Sequence, residues 1–161
     1  MMPHTALLSM GLGYMIFARP LLALMDSEKA HMRALLILRF VSFTILGRLF
    51  LRVLYSPRQV NSKCFGLSFR NPLGLAAGMD KNAVAMSGWE NIGFGFIEVG
   101  GVTMLEQSGN QKPRMFRSAK DGALINRMGF NNQGSEKVAN RLRHSKALNI
   151  PLFLNVGKSK I

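Results

Sequence analysis

Asn71-Pro72-Leu73-Gly74-Leu75-Ala76-Ala77-Gly78-Met79-Asp80-Lys81 decides how this chain folds. Leu73 to Ala77 is a short apolar run behind a proline and reads as a buried strand. It passes into small residues and then a lone lysine. Ala and Gly let a backbone approach a flat ring closely, so Leu75-Ala76-Ala77-Gly78 fits either a tight strand-to-helix turn or a cradle for a planar ligand. Lys81 either places a cation at that turn or stands in solvent, as most lysines do.

Two further segments read as buried parallel strands, Phe94 to Val99 and Leu152 to Val156. Helix-compatible stretches lie before them, Ala83 to Asn91 and Ser135 to Lys146. Strand, helix, strand alternation of this kind argues for an α/β fold with a parallel sheet. Candidate chemistry falls just after each strand: Gly78 to Lys81, Gly100-Gly101, and Asn155 to Lys158. In a (β/α)8 barrel that face carries the site. Phe65-Gly66-Leu67-Ser68-Phe69 is consistent with a small hairpin. Arg114-Met115-Phe116-Arg117 and Ala123-Leu124-Ile125-Asn126 pair as a second hairpin across Asp121-Gly122. Beyond it, Asn126-Arg127-Met128-Gly129-Phe130-Asn131-Asn132 packs amides, an arginine and a glycine into one turn. Amides supply donors and acceptors for a polar ring, although Asn is also common in loops for turn reasons. Arg127 either meets a ligand or pairs with an acid elsewhere. Asn155 either bonds a ligand or caps the next helix. Glu98, inside a strand, is expected to be an internal hydrogen-bond partner, Cys64 to pack in the small hairpin, and His4 and His144 to be solvated.

Before residue 58 the composition differs. Thr5 to Phe17 is almost wholly apolar but shorter than the ~20 residues that span a bilayer. A signal peptide would carry Lys or Arg ahead of the run, and residues 1–5 have neither; a mitochondrial presequence would be Arg-rich from the start. Asp26 is expected to cap a helix, with Glu28 in its first turn. His31, Leu35 and Leu38 share one face of it. Leu46, Phe50 and Leu54 form an apolar stripe further on, with Arg48 and Arg52 on another face, until Ser56-Pro57 stops the run. So much apolar and basic surface fits a helix pair lying in a membrane interface better than core helices. The boundary is placed near 58, giving units of 1–57 and 58–161.

The chain has 161 residues, with 21 Lys and Arg against 8 Asp and Glu, a formal charge of +13 that favours anionic partners. With 48% hydrophobic residues it is too apolar for a disordered basic tail. One cysteine excludes an internal disulfide and a multi-cysteine metal site. A complete barrel needs ~250 residues and does not fit.

Asn71 to Lys81 and Asn126 to Asn132 together resemble the flavin and pyrimidine contacts of the dihydroorotate dehydrogenases, specifically the membrane-bound, quinone-linked class 2. Ala18-Arg19-Pro20-Leu21-Leu22 and Asp26-Ser27-Glu28-Lys29-Ala30-His31 resemble that family's amino-terminal helical extension, with Ser27 where proline is usual. The resemblance runs from about Arg19 to Lys160. It implies the first three strands of a (β/α)8 TIM barrel preceded by an extension that docks on the membrane and admits a ubiquinone-type quinone. It implies FMN contacts at Ala77, Gly78, Met79, Asp80, Lys81, Gly101 and Asn155. It implies dihydroorotate or orotate contacts at Lys81, Asn126, Arg127, Met128, Gly129 and Phe130. The implied reaction oxidises dihydroorotate to orotate through FMN, in pyrimidine biosynthesis. The implied location is peripheral, on the cytoplasmic face of the inner membrane or on the mitochondrial inner membrane. No metal and no nucleic acid are expected. Gly101 stands where the family usually has Thr or Ser, Met104 where it has proline, and Ser159 where Asn is common. The family's serine base and phosphate-binding glycine loops come from later segments, so no catalytic residue is assigned here and the chain alone is expected to be an inactive fragment. Two rival readings are a non-catalytic membrane-surface remnant and another FMN barrel such as a tRNA dihydrouridine synthase.

Overall fold

The computed structural model describes residue 16 and residues 19–55, 57–118 and 120–159. The apolar run at 5–17 apart from Ile16, the leader readings made on it, and His4 lie outside the described residues.

Three helices come first: α1 Arg19–Ala23, α2 Ser27–Phe43 and α3 Ile45–Leu54. α2 starts where expected, with the Asp26 carboxylate accepting the Lys29 N–H at 3.0 Å. Thr44 separates α2 from α3, and its hydroxyl oxygen accepts the Gly47 N–H at 3.0 Å. The two helices are bent by 114° at that break, and among the described residues no single helix is long and apolar enough to cross a membrane.

The two faces of this helix pair differ. Leu35 is buried in the main core, Leu38 packs against it, and His31 is half-buried, so the expected face is the inner one. A β-carbon on Gly88 would fall 2.3 Å from Leu38 Cγ, so the glycine there is what lets α2 seat. The outer face is apolar and open, with Phe40 80%, Phe43 83% and Leu46 80% exposed. On α3 the expected stripe lies on the outer side: Leu46 and Phe50 point outward, and Leu51 points into the protein. Arg48 and Arg52 also differ from marginal surface charges. Arg48 donates to the Ser42 and Phe43 carbonyls at 3.0 and 3.1 Å, closing the end of α2, and Arg52 Nε donates to Asn91 Oδ1 at 2.6 Å.

The second part is mixed α/β. β1 Ser62–Cys64 and β2 Leu67–Phe69 form the small hairpin around Phe65-Gly66, both at positive φ. Cys64 is exposed there, not packed. β3 Gly74–Leu75, β4 Phe96–Val102 and β7 Leu152–Val156 form a parallel sheet in the order β3-β4-β7. α4 Met86–Asn91 and α5 Gly134–Arg143 are shorter than the sequence stretches expected. β5 Met115–Ser118 and β6 Ala123–Asn126 pair antiparallel across Asp121-Gly122, as expected.

One sheet face carries Leu75, Ile97 and Val99, packed with Met86 and Trp89 of α4 and Val138 of α5. The other carries Phe96, Glu98, Phe153 and Asn155. Phe69 of the small hairpin closes its amino end, edge-on to Phe96 at 5.6 Å and stacked on Phe153 at 6.5 Å. β7, expected to be buried, is instead the sheet edge, with Leu154 50% and Val156 71% exposed. A groove of about 610 Å³ lies beside it against α5, lined by Val138, Leu142 and Leu154.

The first strand, β3, is shorter than expected, and Asp80 organises the turn beyond it. Its carboxylate is fully buried and accepts the N–H groups of Val84 at 2.7 Å and Ala85 at 2.8 Å, and the Trp89 indole N–H at 3.2 Å. It therefore tethers the loop before α4, and α4 starts at Met86 instead of Ala83, where φ is positive. Replacing Asp80 by Ala strands three donors, two of them buried, so Asp80→Ala is expected to lower stability by about 3–5 kcal/mol in urea unfolding. A loss below about 1 kcal/mol would contradict this account of the loop.

Candidate functional site

The carboxyl ends of β3, β4 and β7 lie side by side. The Gly78 N–H donates to the Gly100 carbonyl at 2.7 Å, tying the first two ends together. A β-carbon at Gly100, whose φ is +114°, would sit 2.3 Å from the Asn155 carbonyl oxygen, so only glycine allows this approach of β4 to β7.

The two segments quoted from the sequence meet at Lys81. Its Nζ donates to the Gly129 carbonyl at 2.9 Å and to Asn131 Oδ1 at 2.7 Å, so it is neither solvated nor adrift. Burial, and then the nearby Arg114 charge, lower its pKa from the ordinary lysine value, while Glu28 opposes them. A second convergence joins Gly101, Asn155 and Phe130. A β-carbon at Gly101 would lie 3.3 Å from Asn155 Oδ1 and 3.5 Å from the Phe130 ring. Asn155 Nδ2 donates to Glu98 Oε1 at 3.0 Å, which makes Glu98 the internal partner expected of it.

Other candidates are placed less directly. Ala77 is half-buried, Gly78 is exposed with φ +102°, and Met79 is exposed. The Asp80 side chain is committed to the core, so a ligand contact through its carboxylate is excluded. Asn126 is exposed at the end of β6, and its Oδ1 accepts the Met128 N–H at 3.4 Å. Met128 is half-buried and Gly129 turns at φ +70°. Among the described residues Arg127 forms no ion pair with an acid. Its guanidinium donates to the Pro113 carbonyl at 3.3 Å and lies 6.0 Å above the Phe116 ring. His144 is exposed as expected, with Nδ1 2.8 Å from the Asn140 carbonyl.

Several residues that hold the site were missed. Asn132 is buried and locks the loop to β4: its Oδ1 accepts the Thr103 and Gly134 N–H groups at 3.2 and 2.9 Å, and its Nδ2 donates to Thr103 Oγ1 at 2.9 Å. Arg114 is 6% exposed and makes a bidentate pair with Glu28, at 3.0 and 2.6 Å. Glu28 precedes it by 86 residues, so no local pattern announces the pair. His31, one turn after Glu28, is half-buried among the charges of Asp80, Glu28 and Lys81, and burial lowers its pKa.

The model of the family described as dihydroorotate dehydrogenase matches residues 59–161. The chain belongs to the dihydroorotate dehydrogenase family. A Gloeobacter violaceus protein named dihydroorotate dehydrogenase (quinone) is 50% identical over 145 residues, covering 89% of this chain and 41% of the relative. A Thermus thermophilus protein of the same name is 50% identical over 143 residues, covering 84% and 40%. Among solved structures, the Eimeria tenella dihydroorotate dehydrogenase in complex with ferulenol matches with a TM-score of 0.57 at 38% identity, over 72% of this chain and 36% of that one. The chain thus spans about two fifths of the length of the curated relatives it matches. Membership of this family leaves the tRNA dihydrouridine synthase reading without support.

In this family member Glu28 couples the helical region to the site by charge. Its pKa lies below the usual 4.5, chiefly because Arg114 donates to it, with Lys112 3.4 Å away adding to the effect. A carboxyl whose folded pKa is depressed contributes stability above about pH 4.5 and loses it as pH falls through the lower folded value. The difference in unfolding free energy between wild type and Glu28→Gln is therefore expected to be largest near neutrality and to shrink as pH falls below about 4.5. A difference constant over that range would mean the pair contributes nothing through its charge.

Proposed function

We propose that this chain is the amino-terminal part of a quinone-linked dihydroorotate dehydrogenase, which oxidises dihydroorotate to orotate in de novo pyrimidine biosynthesis. In this reading residues 58–161 form the first three strands of an FMN-binding (β/α)8 barrel. Residues 1–57 form an apolar and basic helical extension that docks on a membrane surface and receives a ubiquinone-type quinone. The whole protein would sit peripherally on the cytoplasmic face of the inner membrane, or on the mitochondrial inner membrane. The observation that carries the reading is the meeting of the small-residue turn and the Asn-rich loop at Lys81.

The family is one of flavoproteins, and the residues at the strand ends fit a flat ring. At Gly78 a β-carbon would meet nothing within 4 Å, so the turn faces open space there. Gly101 stands beside Asn155, whose amide has hydrogen-bonding capacity for a heterocyclic edge. FMN held there would accept a hydride from the substrate. Lys81 supplies positive charge at the turn, where it favours an anionic ring edge or a carboxylate. Asn126 offers an exposed amide, and Met128, Gly129 and Phe130 shape the loop around the substrate. Gly101 in place of a hydroxyl removes one contact but keeps its backbone. The chain by itself is a three-stranded sheet that cannot close a barrel and is not expected to turn over dihydroorotate.

Joining residues 1–161 to the carboxyl-terminal part of the Gloeobacter violaceus relative would give a full-length hybrid. It is expected to be yellow and to reduce a quinone analogue when given dihydroorotate. Lys81→Ala should cut its turnover at least ~10²-fold, the scale of losing one positioned electrostatic group. A folded, yellow hybrid with no such activity, or near-normal turnover in Lys81→Ala, would overturn the reading.

The membrane part has its own test. Phe40, Phe43, Leu46 and Phe50 are exposed, so serine at all four should leave the fold intact. Binding to vesicles containing anionic lipid should weaken at least ~10²-fold, because each side chain contributes ~1.5–3 kcal/mol on burial. Exposed Arg39 supplies charge on the same helix, whereas Arg48 and Arg52 are bonded internally. Unchanged vesicle binding in the quadruple variant would rule out this face as the docking surface.

A further inference from the structure

A chain of hydrogen bonds runs from the first turn of α2 to the loop at 126–131. The Glu28 carboxylate receives two bonds from Arg114. The remaining terminal nitrogen of Arg114 donates to the carbonyls of Ser108 at 2.5 Å and Asn110 at 2.9 Å. Asn110 then grips the loop twice. Its N–H donates to the Met128 carbonyl at 3.0 Å, and its side-chain amide donates to the Arg127 carbonyl at 2.7 Å. The Arg127 N–H closes the circuit on the Arg114 carbonyl at 2.8 Å.

The packing is as specific as the bonding. Gly109 has φ +78°, and a β-carbon there would lie 2.4 Å from the Met128 carbonyl oxygen and 2.7 Å from an Arg114 nitrogen. The glycine thus lets a buried guanidinium pass beneath the loop. All three of these bonds bear on the backbone of the loop, which leaves the Asn126 amide nitrogen outside the circuit. α2 also brings His31 towards Asp80 and Lys81, so one helix borders the site from two points. A guanidinium that loses its carboxylate in this position must find another partner or move towards water, and the Ser108 and Asn110 carbonyls move with it.

We propose that Glu28 is a positioning residue. Through Arg114 and Asn110 it sets the conformation of the 126–131 loop, so that the seating of α2 governs how well the loop receives a carboxylated pyrimidine. The ligand half of this proposal rests on the pyrimidine reading of the loop; the positioning half does not.

Amide hydrogen exchange on the full chain in detergent tests it, comparing wild type with Glu28→Gln and Glu28→Asp. In Glu28→Gln the Asn110 and Arg127 amides should exchange at least ~10-fold faster, while the Ile97 and Gly157 amides of the β4–β7 ladder keep their rates. Glu28→Asp, which retains the charge, should restore part of the protection. Unchanged exchange at Asn110 and Arg127 would overturn the proposal. So would equal acceleration in the ladder, which would make the pair a general staple. A second arm adds orotate, which should slow exchange across 126–131 in wild type and less in Glu28→Gln. Equal slowing in both would overturn the link to the ligand. No slowing in wild type would overturn the pyrimidine reading of the loop, and the positioning role would then stand or fall on the first arm.

Discussion

The structure turns on how one arginine is kept charged inside the protein. Arg114 is all but buried, and a guanidinium there must have every direction answered. Glu28 answers two of its five N–H groups in a planar, bidentate fork, and the carbonyls of Ser108 and Asn110 answer two more. Glu28 comes from the helical region and the carbonyls from the loop under the candidate site. Satisfying one side chain therefore fixes two regions against each other. A lysine could not replace it, since an ammonium lacks the fork. Removing Glu28 leaves Arg114 a buried guanidinium without its carboxylate, which is why such a pair holds geometry firmly whatever its net contribution to stability.

Two further contacts work with it. Leu35 and Leu38 press α2 onto α4 at Gly88, and Arg52 ties α3 to Asn91. The inner face of the helix pair is thus spent on the protein. What remains outside is almost entirely apolar, with Phe40, Phe43 and Leu46 the most open. The same helices are anchored on one side and apolar and open on the other.

Much of this is legible in the sequence where the cause is local. The α2 cap at Asp26 comes from a carboxylate beside a helical run, and the Asp121-Gly122 turn from a hairpin's need for positive φ. The parallel sheet comes from apolar runs separated by helical stretches. Lys81 and the Asn126–Phe130 segment are rightly paired as neighbours, although nothing in the sequence announces their direct hydrogen bonds. Other features depend on what lies far along the chain. Asp80 lies in the segment that the resemblance assigns to FMN, and nothing local announces that Trp89 and the N–H groups of Val84 and Ala85 fold back onto its carboxylate. The apolar character of β7 says it should be buried, but exposure depends on what packs against it. The Glu28–Arg114 pair spans 86 residues, and although Glu28 stands in a quoted motif, nothing in that motif points to Arg114.

A double-mutant cycle on Glu28 and Arg114 tests most directly whether this pair joins the helical region to the site. Unfolding free energies would be measured for wild type, Glu28→Gln, Arg114→Gln and the double variant. Both single variants should be strongly destabilised and the double variant little worse than either, giving a coupling of about 2–3 kcal/mol. Losses that add to within about 0.5 kcal/mol would mean the two residues act independently, and the central claim would fail.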